Sequence, residues 1–86
     1  MTISYKKKEQ LGRLVDEGEN LDPLDLEAFY RWMHTSYRAL GFHPSQQQRF
    51  DTYCRSSGDS NAMRIYVGVW ILRLSLADAS AANGNS

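Results

Sequence analysis

The chain has 86 residues, with 10 Lys and Arg against 10 Asp and Glu, a formal net charge of zero, 42% hydrophobic residues and 23% charged ones. These values describe one small folded domain; they exclude a binder held to nucleic acid by gross positive charge and an acidic disordered tail. A single Cys excludes an internal disulfide framework, and no run of about 18 uncharged apolar residues exists to form a membrane-spanning helix. The opening MTISYKKKEQ is basic but leads into no apolar segment, so it does not read as a secretory signal. The expected compartment is the cytoplasm.

The first element reads as an amphipathic helix over about 4–19. Leu11, Leu14 and Val15 have the i, i+3, i+4 spacing of one helical face. Gly18 marks its expected end. The second element has the clearest signals. Asp22-Pro23 places a capping residue before a proline at the first helical position, with Asp25 three residues after the cap. Leu26, Phe29, Tyr30, Met33, Tyr37 and Leu40 then fall within about 100° of arc, opposite Glu27, Arg31, His34, Thr35 and Arg38. Gly41 is the expected left-handed residue that ends this helix.

Pro44 opens a third helix to about Arg55, with Phe50, Tyr53 and Cys54 on its apolar edge. The run Ser56-Ser57-Gly58-Asp59-Ser60 reads as a loop, with Asp59 or Ser60 as the cap of the next element. The fourth element, about 61–78, is ambiguous. Its Ile65-to-Ile71 core is rich in β-branched and aromatic residues, which favours a strand. Its length favours a helix, and no other segment reads as a strand partner. Helix is the expectation. One face then carries Ile65, Val69, Leu72 and Leu76; a second carries Met63, Tyr66, Trp70, Leu74 and Ala77. A helix apolar nearly all round has to be buried nearly all round, at the centre of its own domain or against another chain.

Candidate chemistry is sparse. His34, His43 and Cys54 are the only soft-metal candidates, and none has a ligand spacing such as CxxC or HExxH. The carboxylates Asp16, Glu17, Glu19, Asp22, Asp25 and Glu27 sit at helix ends and on polar faces, where capping and solvation account for them. No catalytic residue, cofactor or metal is expected. Charge is segregated along the chain: residues 9–27 hold seven acids and one base, whereas residues 31–73 hold six Arg and two acids. Opposite-sign halves orient an encounter more than they tighten it. Lys6, Lys7 and Lys8 form the one basic run and are the candidate phosphate contacts. They occupy the positive end of a helix macrodipole, an unfavourable place for cations.

The order Leu11-Gly12-Arg13-Leu14-Val15-Asp16-Glu17-Gly18-Glu19, then Phe29-Tyr30-Arg31-Trp32, Leu40-Gly41-Phe42, Ser45, Phe50 and a late apolar helix from Ile65, resembles a helical module of bacterial and archaeal proteins. That module often lies N-terminal to effector domains of the phage-defence or nucleotide-binding kind. The resemblance spans residues 11–76 and implies an all-helical interaction or oligomerisation module. The chain departs from the pattern in carrying no effector segment and in having Tyr66 and Trp70 in its last helix.

The expectation is one all-α domain of four helices over residues 1–78, with the second and fourth as the core pair, and a flexible tail over 79–86. The expected function is non-enzymatic protein–protein interaction or oligomerisation, as a homodimer, through Met63, Tyr66, Trp70 and Leu74. Trp32 is the further candidate anchor, with core packing as its other reading. The alternatives are a small nucleic-acid-binding accessory protein using Lys6, Lys7 and Lys8, or a phage- or host-encoded inhibitor of one protein target. No membrane partner is expected.

Overall fold

The computed structural model describes the backbone of residues 5–84 and the side chains of residues 5–79. Among the described residues four α-helices occur in chain order: α1 Tyr5–Glu19, α2 Leu26–Ala39, α3 Pro44–Phe50 and α4 Asn61–Gly84. A 3-10 turn, Leu40–Phe42, links α2 to α3, and a π-helical turn, Asp51–Arg55, extends α3. The domain is all-α, and no strand occurs among the described residues. The segment from residue 61 is thus helical despite its β-branched core. Its expected start lies where the structure has it, but its end lies well past residue 78: the helix runs on to Gly84 through an alanine-rich stretch of high helix propensity. Ala79, expected in a tail, is buried. Residues 85–86 and the expected first residue of α1, Ser4, lie outside the described residues.

Local chemistry sets the helix ends. Asp25, not Asp22, caps α2, its carboxylate accepting from the Ala28 amide at 3.2 Å. Asp22 closes the preceding turn instead: its side chain accepts from the Leu24 amide at 2.9 Å, and its carbonyl from the Asp25 amide at 3.0 Å. Pro23 is the second residue of that turn, a position its fixed φ suits. Gly41 adopts no left-handed conformation, because α2 tightens into the 3-10 turn rather than stopping on a glycine. Ser60 caps α4, its hydroxyl accepting from the Met63 amide at 3.3 Å.

The principal helix pair is α1 with α4, rather than α2 with α4. The cause is steric. Gly18 is the penultimate residue of α1, which ends there as expected, and a Cβ on it would sit 2.5 Å from Val69 Cγ2 and 2.7 Å from Trp32 Cζ2. Gly68 on α4 is as crowded, with Trp32 Cη2 at 2.8 Å and Cys54 Sγ and Phe50 Cε2 at 3.1 Å. The Trp32 indole thus slots between two bare stretches of backbone. Its ring nitrogen donates to the Leu14 carbonyl at 2.8 Å, which satisfies the one polar atom it carries inward.

This wedge also turns α2. Its buried residues are Phe29, Trp32, Met33, Ser36 and Ala39. Leu26 and Tyr30, expected on the core face, are exposed. The apolar arc read from large side chains alone is therefore rotated from the true one, which is centred on small Ser36 and on Trp32. Around them Leu11, Leu40, Phe50 and Leu72 are fully buried.

Arg64 ties the far side together. Its guanidinium donates to the Cys54 carbonyl at 2.7 Å and the Arg55 carbonyl at 2.9 Å, and lies 5.0 Å from the centre of the Phe29 ring. It thereby satisfies carbonyls that the π-helical turn leaves open.

The glycine contacts give a paired prediction. Gly68→Ala gains about 1 kcal/mol of helix propensity, but its methyl meets three rigid neighbours, and overpacking of that kind costs about 1–3 kcal/mol. The variant should unfold at lower urea concentration than the parent. Gly12→Ala, with nothing within 4 Å of the added carbon, should unfold at higher urea concentration.

Candidate protein-interaction face

Helix α4 divides lengthwise. Ile65, Gly68, Val69, Ile71, Leu72, Ser75 and Ala79 are buried against the chain's other helices. Ser75 is tolerated there because its hydroxyl donates to the Ile71 carbonyl at 2.9 Å within the helix. The opposite side has no such cover. Tyr66 is 70% exposed, Trp70 55% and Met63 48%. Ala77 is exposed, and Leu74 and Val67 are half-buried. At 100° per residue these six occupy an arc of about 100° with Trp70 near its middle.

The charged residues nearest this arc are engaged within the chain. Arg73, at one edge, forms an ion pair with Glu19 of α1. Asp78, at the other, faces His43 Nε2 at 3.5 Å. Beside Tyr66 and Trp70 the stripe opens into a groove of about 360 Å³ between α1 and α4, lined in part by Gly18, Leu21, Pro23 and Val69. A second cleft, between α1 and α2, is lined by charges of both signs, among them Arg13, Glu17, Asp25 and Arg31. It offers no single-sign surface to a ligand.

Of the candidate contact residues, Met63, Tyr66 and Trp70 are thus brought together at the surface, with Leu74 half-buried beside them. Trp32 is not part of this face. It is 2% exposed, and its indole nitrogen is already hydrogen-bonded, so the reading of it as an interface anchor is corrected: it is the core wedge between α1 and α4. Sequence reasoning missed Val67, hidden among β-branched residues that read as strand, and the groove, which arises from Gly18 and the Pro23 turn on other elements.

The basic run is partly accounted for within the fold. Lys6 is exposed and Lys8 half-buried. Lys7 Nζ donates to the Ala39 carbonyl at 3.2 Å and to Gln10 Oε1 at 3.0 Å, and lies 6.0 Å from the centre of the Phe42 ring. The ammonium therefore meets the negative C-terminal end of α2, which offsets its unfavourable place at the start of α1. Two ends of opposite sign result. Lys7 and Arg38 lie where α1 starts and α2 finishes; Glu17, Glu19, Asp22 and Asp25 lie where α1 finishes and α2 starts. Asn61, opening α4, donates to the Pro23 carbonyl at 3.3 Å and so belongs to the acidic end. Asp78 reaches His43, just beyond the basic end of α2.

His34 is exposed, while Cys54 is fully buried. Among the described residues no group of three or more His, Cys, Asp or Glu lies together to hold a metal ion, and no helix is long and apolar enough to cross a membrane. Burial pushes the Cys54 thiol up from 9.0 to about 12, against a smaller downward pull from Arg64. In the unfolded chain the thiol ionises near its ordinary value. The stability held by keeping it protonated is therefore complete below about pH 9 and is lost as pH rises towards 12. Native protein at pH 8 should react with a disulfide reagent only after denaturant is added; prompt reaction of the native thiol would contradict this burial.

No family model matches the chain, and neither a characterised protein nor a solved structure matches it.

Proposed function

We propose that the protein is a non-enzymatic interaction module that pairs with a second copy of itself through the exposed face of α4. The observation that supports this reading is the contiguous stripe Met63, Tyr66, Trp70 and Leu74, left uncovered on a helix whose other side is fully packed. Scattered apolar side chains on a surface are ordinary, whereas a rimmed apolar stripe of this kind marks a site of association. Trp and Tyr are also the residues that most often dominate binding energy.

Two further features favour self-pairing. The formal net charge is zero, so two copies meet without net repulsion. Arg73, the charge at one edge of the stripe, already pairs with Glu19 of its own chain, so covering that edge strands no lone cation. The phosphate-contact reading of Lys6, Lys7 and Lys8 has less support, because the Lys7 ammonium is turned onto the Ala39 carbonyl.

Sedimentation across nanomolar to tens of micromolar concentration tests the reading. A reversible monomer–dimer transition is the expected result. A single monomeric species throughout would remove the self-pairing proposal.

A further inference from the structure

We infer that the second copy lies antiparallel to the first, with Trp70 on the two-fold axis; this rests on the self-pairing proposed above. Five of the six stripe residues, 63, 66, 70, 74 and 77, are spaced three, four, four and three apart, while half-buried Val67 at the edge lies outside this spacing, level with position 73. That spacing reads the same in both directions along the helix, and Trp70 is its midpoint. An isologous contact requires that when residue i meets j, j meets i. Antiparallel pairing about Trp70 meets this condition with each of these five residues facing another of the five. Met63 lies level with the partner's Ala77, and Tyr66 with the partner's Leu74, so on either side of the central Trp70 pair a bulky side chain meets a smaller one. Parallel pairing would set Tyr66 beside the partner's Tyr66 and Ala77 beside the partner's Ala77, crowding one end and leaving a gap at the other.

Charge favours the same arrangement. Asn61 of α4 sits at the acidic end of the molecule, by Pro23, and Asp78 at the basic end, by His43. Reversing one copy puts each acidic end alongside the other's basic end. Parallel pairing would set like against like. The antiparallel contact is also closed, because both copies use the same patch and none is left over to recruit a third.

Spin labels on a Gly58→Cys chain measure the arrangement. Gly58 lies in the loop before α4, with nothing within 4 Å of an added side chain. The native Cys54 is buried and stays unlabelled. In the antiparallel dimer the two labels stand on the order of 30 Å apart, from the rise of the helix on either side of Trp70. In a parallel dimer they come within about 10–15 Å, near the spacing of two packed helices. A long separation, with dimerisation weakened at least several-fold between 0.05 and 1 M salt, is the expected result. A dimer with the short separation overturns the antiparallel arrangement and leaves self-pairing standing. A chain that stays monomeric overturns both.

Discussion

A Trp70→Ala chain is expected to sediment as a monomer at concentrations where the parent is a dimer, with its thermal unfolding nearly unchanged. Trp70 is 55% exposed and contributes little to its own core. Buried at the centre of a paired face, an indole of this kind is worth about 2 kcal/mol or more on truncation. In a two-fold dimer each substitution is made twice, so the combined loss is about 4 kcal/mol, or roughly a thousand-fold in dissociation constant. Sedimentation equilibrium reads that loss directly. An unchanged dissociation constant would show that pairing, if present, uses another surface.

Trp32→Ala should give the opposite pattern: a large loss of stability from a residue that touches no partner. Removing a fully buried Trp costs about 3–5 kcal/mol. Here the cavity would open between Gly18 and Gly68, where backbone stands close on both sides, and the Leu14 carbonyl would lose its donor. Small domains have only about 5–15 kcal/mol in total, so the midpoint of thermal unfolding should fall by on the order of 20 °C. Calorimetry would measure this. A change below about 1 kcal/mol, the size of an ordinary surface substitution or little more, would contradict the wedge role. On the self-pairing proposed above, the two tryptophans would separate association from folding within one chain.

The four helices were legible in the sequence because their boundary residues act locally. Pro44 and Ser60 need only their neighbours to begin a helix. Cover for one side of α4, and its absence on the other, was legible too, since periodicity alone sorts Ile65, Val69 and Leu72 from Met63, Tyr66 and Trp70. The rotation of α2 was not. It depends on Gly18 and Gly68, which are far apart in sequence and carry no side chain to reveal that an indole lies between them. Hydrophobic size pointed to Leu26 and Tyr30, whereas steric access selected Trp32 and Ser36. The pairing of α1 with α4 was hidden for the same reason. The expected cap at Asp22 failed because two Asp residues three apart both fit the pattern, and only the turn geometry at Pro23 decides between them.

The slot that receives Trp32 constrains how this sequence can drift. Most surface positions can change freely, and most interior ones can trade one aliphatic for another of like volume. Gly18 and Gly68 gain a methyl only at a cost in packing while the indole remains, and the indole shrinks only at a larger cost while they stay bare. Changes at these three positions should therefore cost less together than singly. A chain that exchanged the indole for a smaller ring would have room for side chains at both glycines, so one packing solution would be replaced by another rather than simply lost.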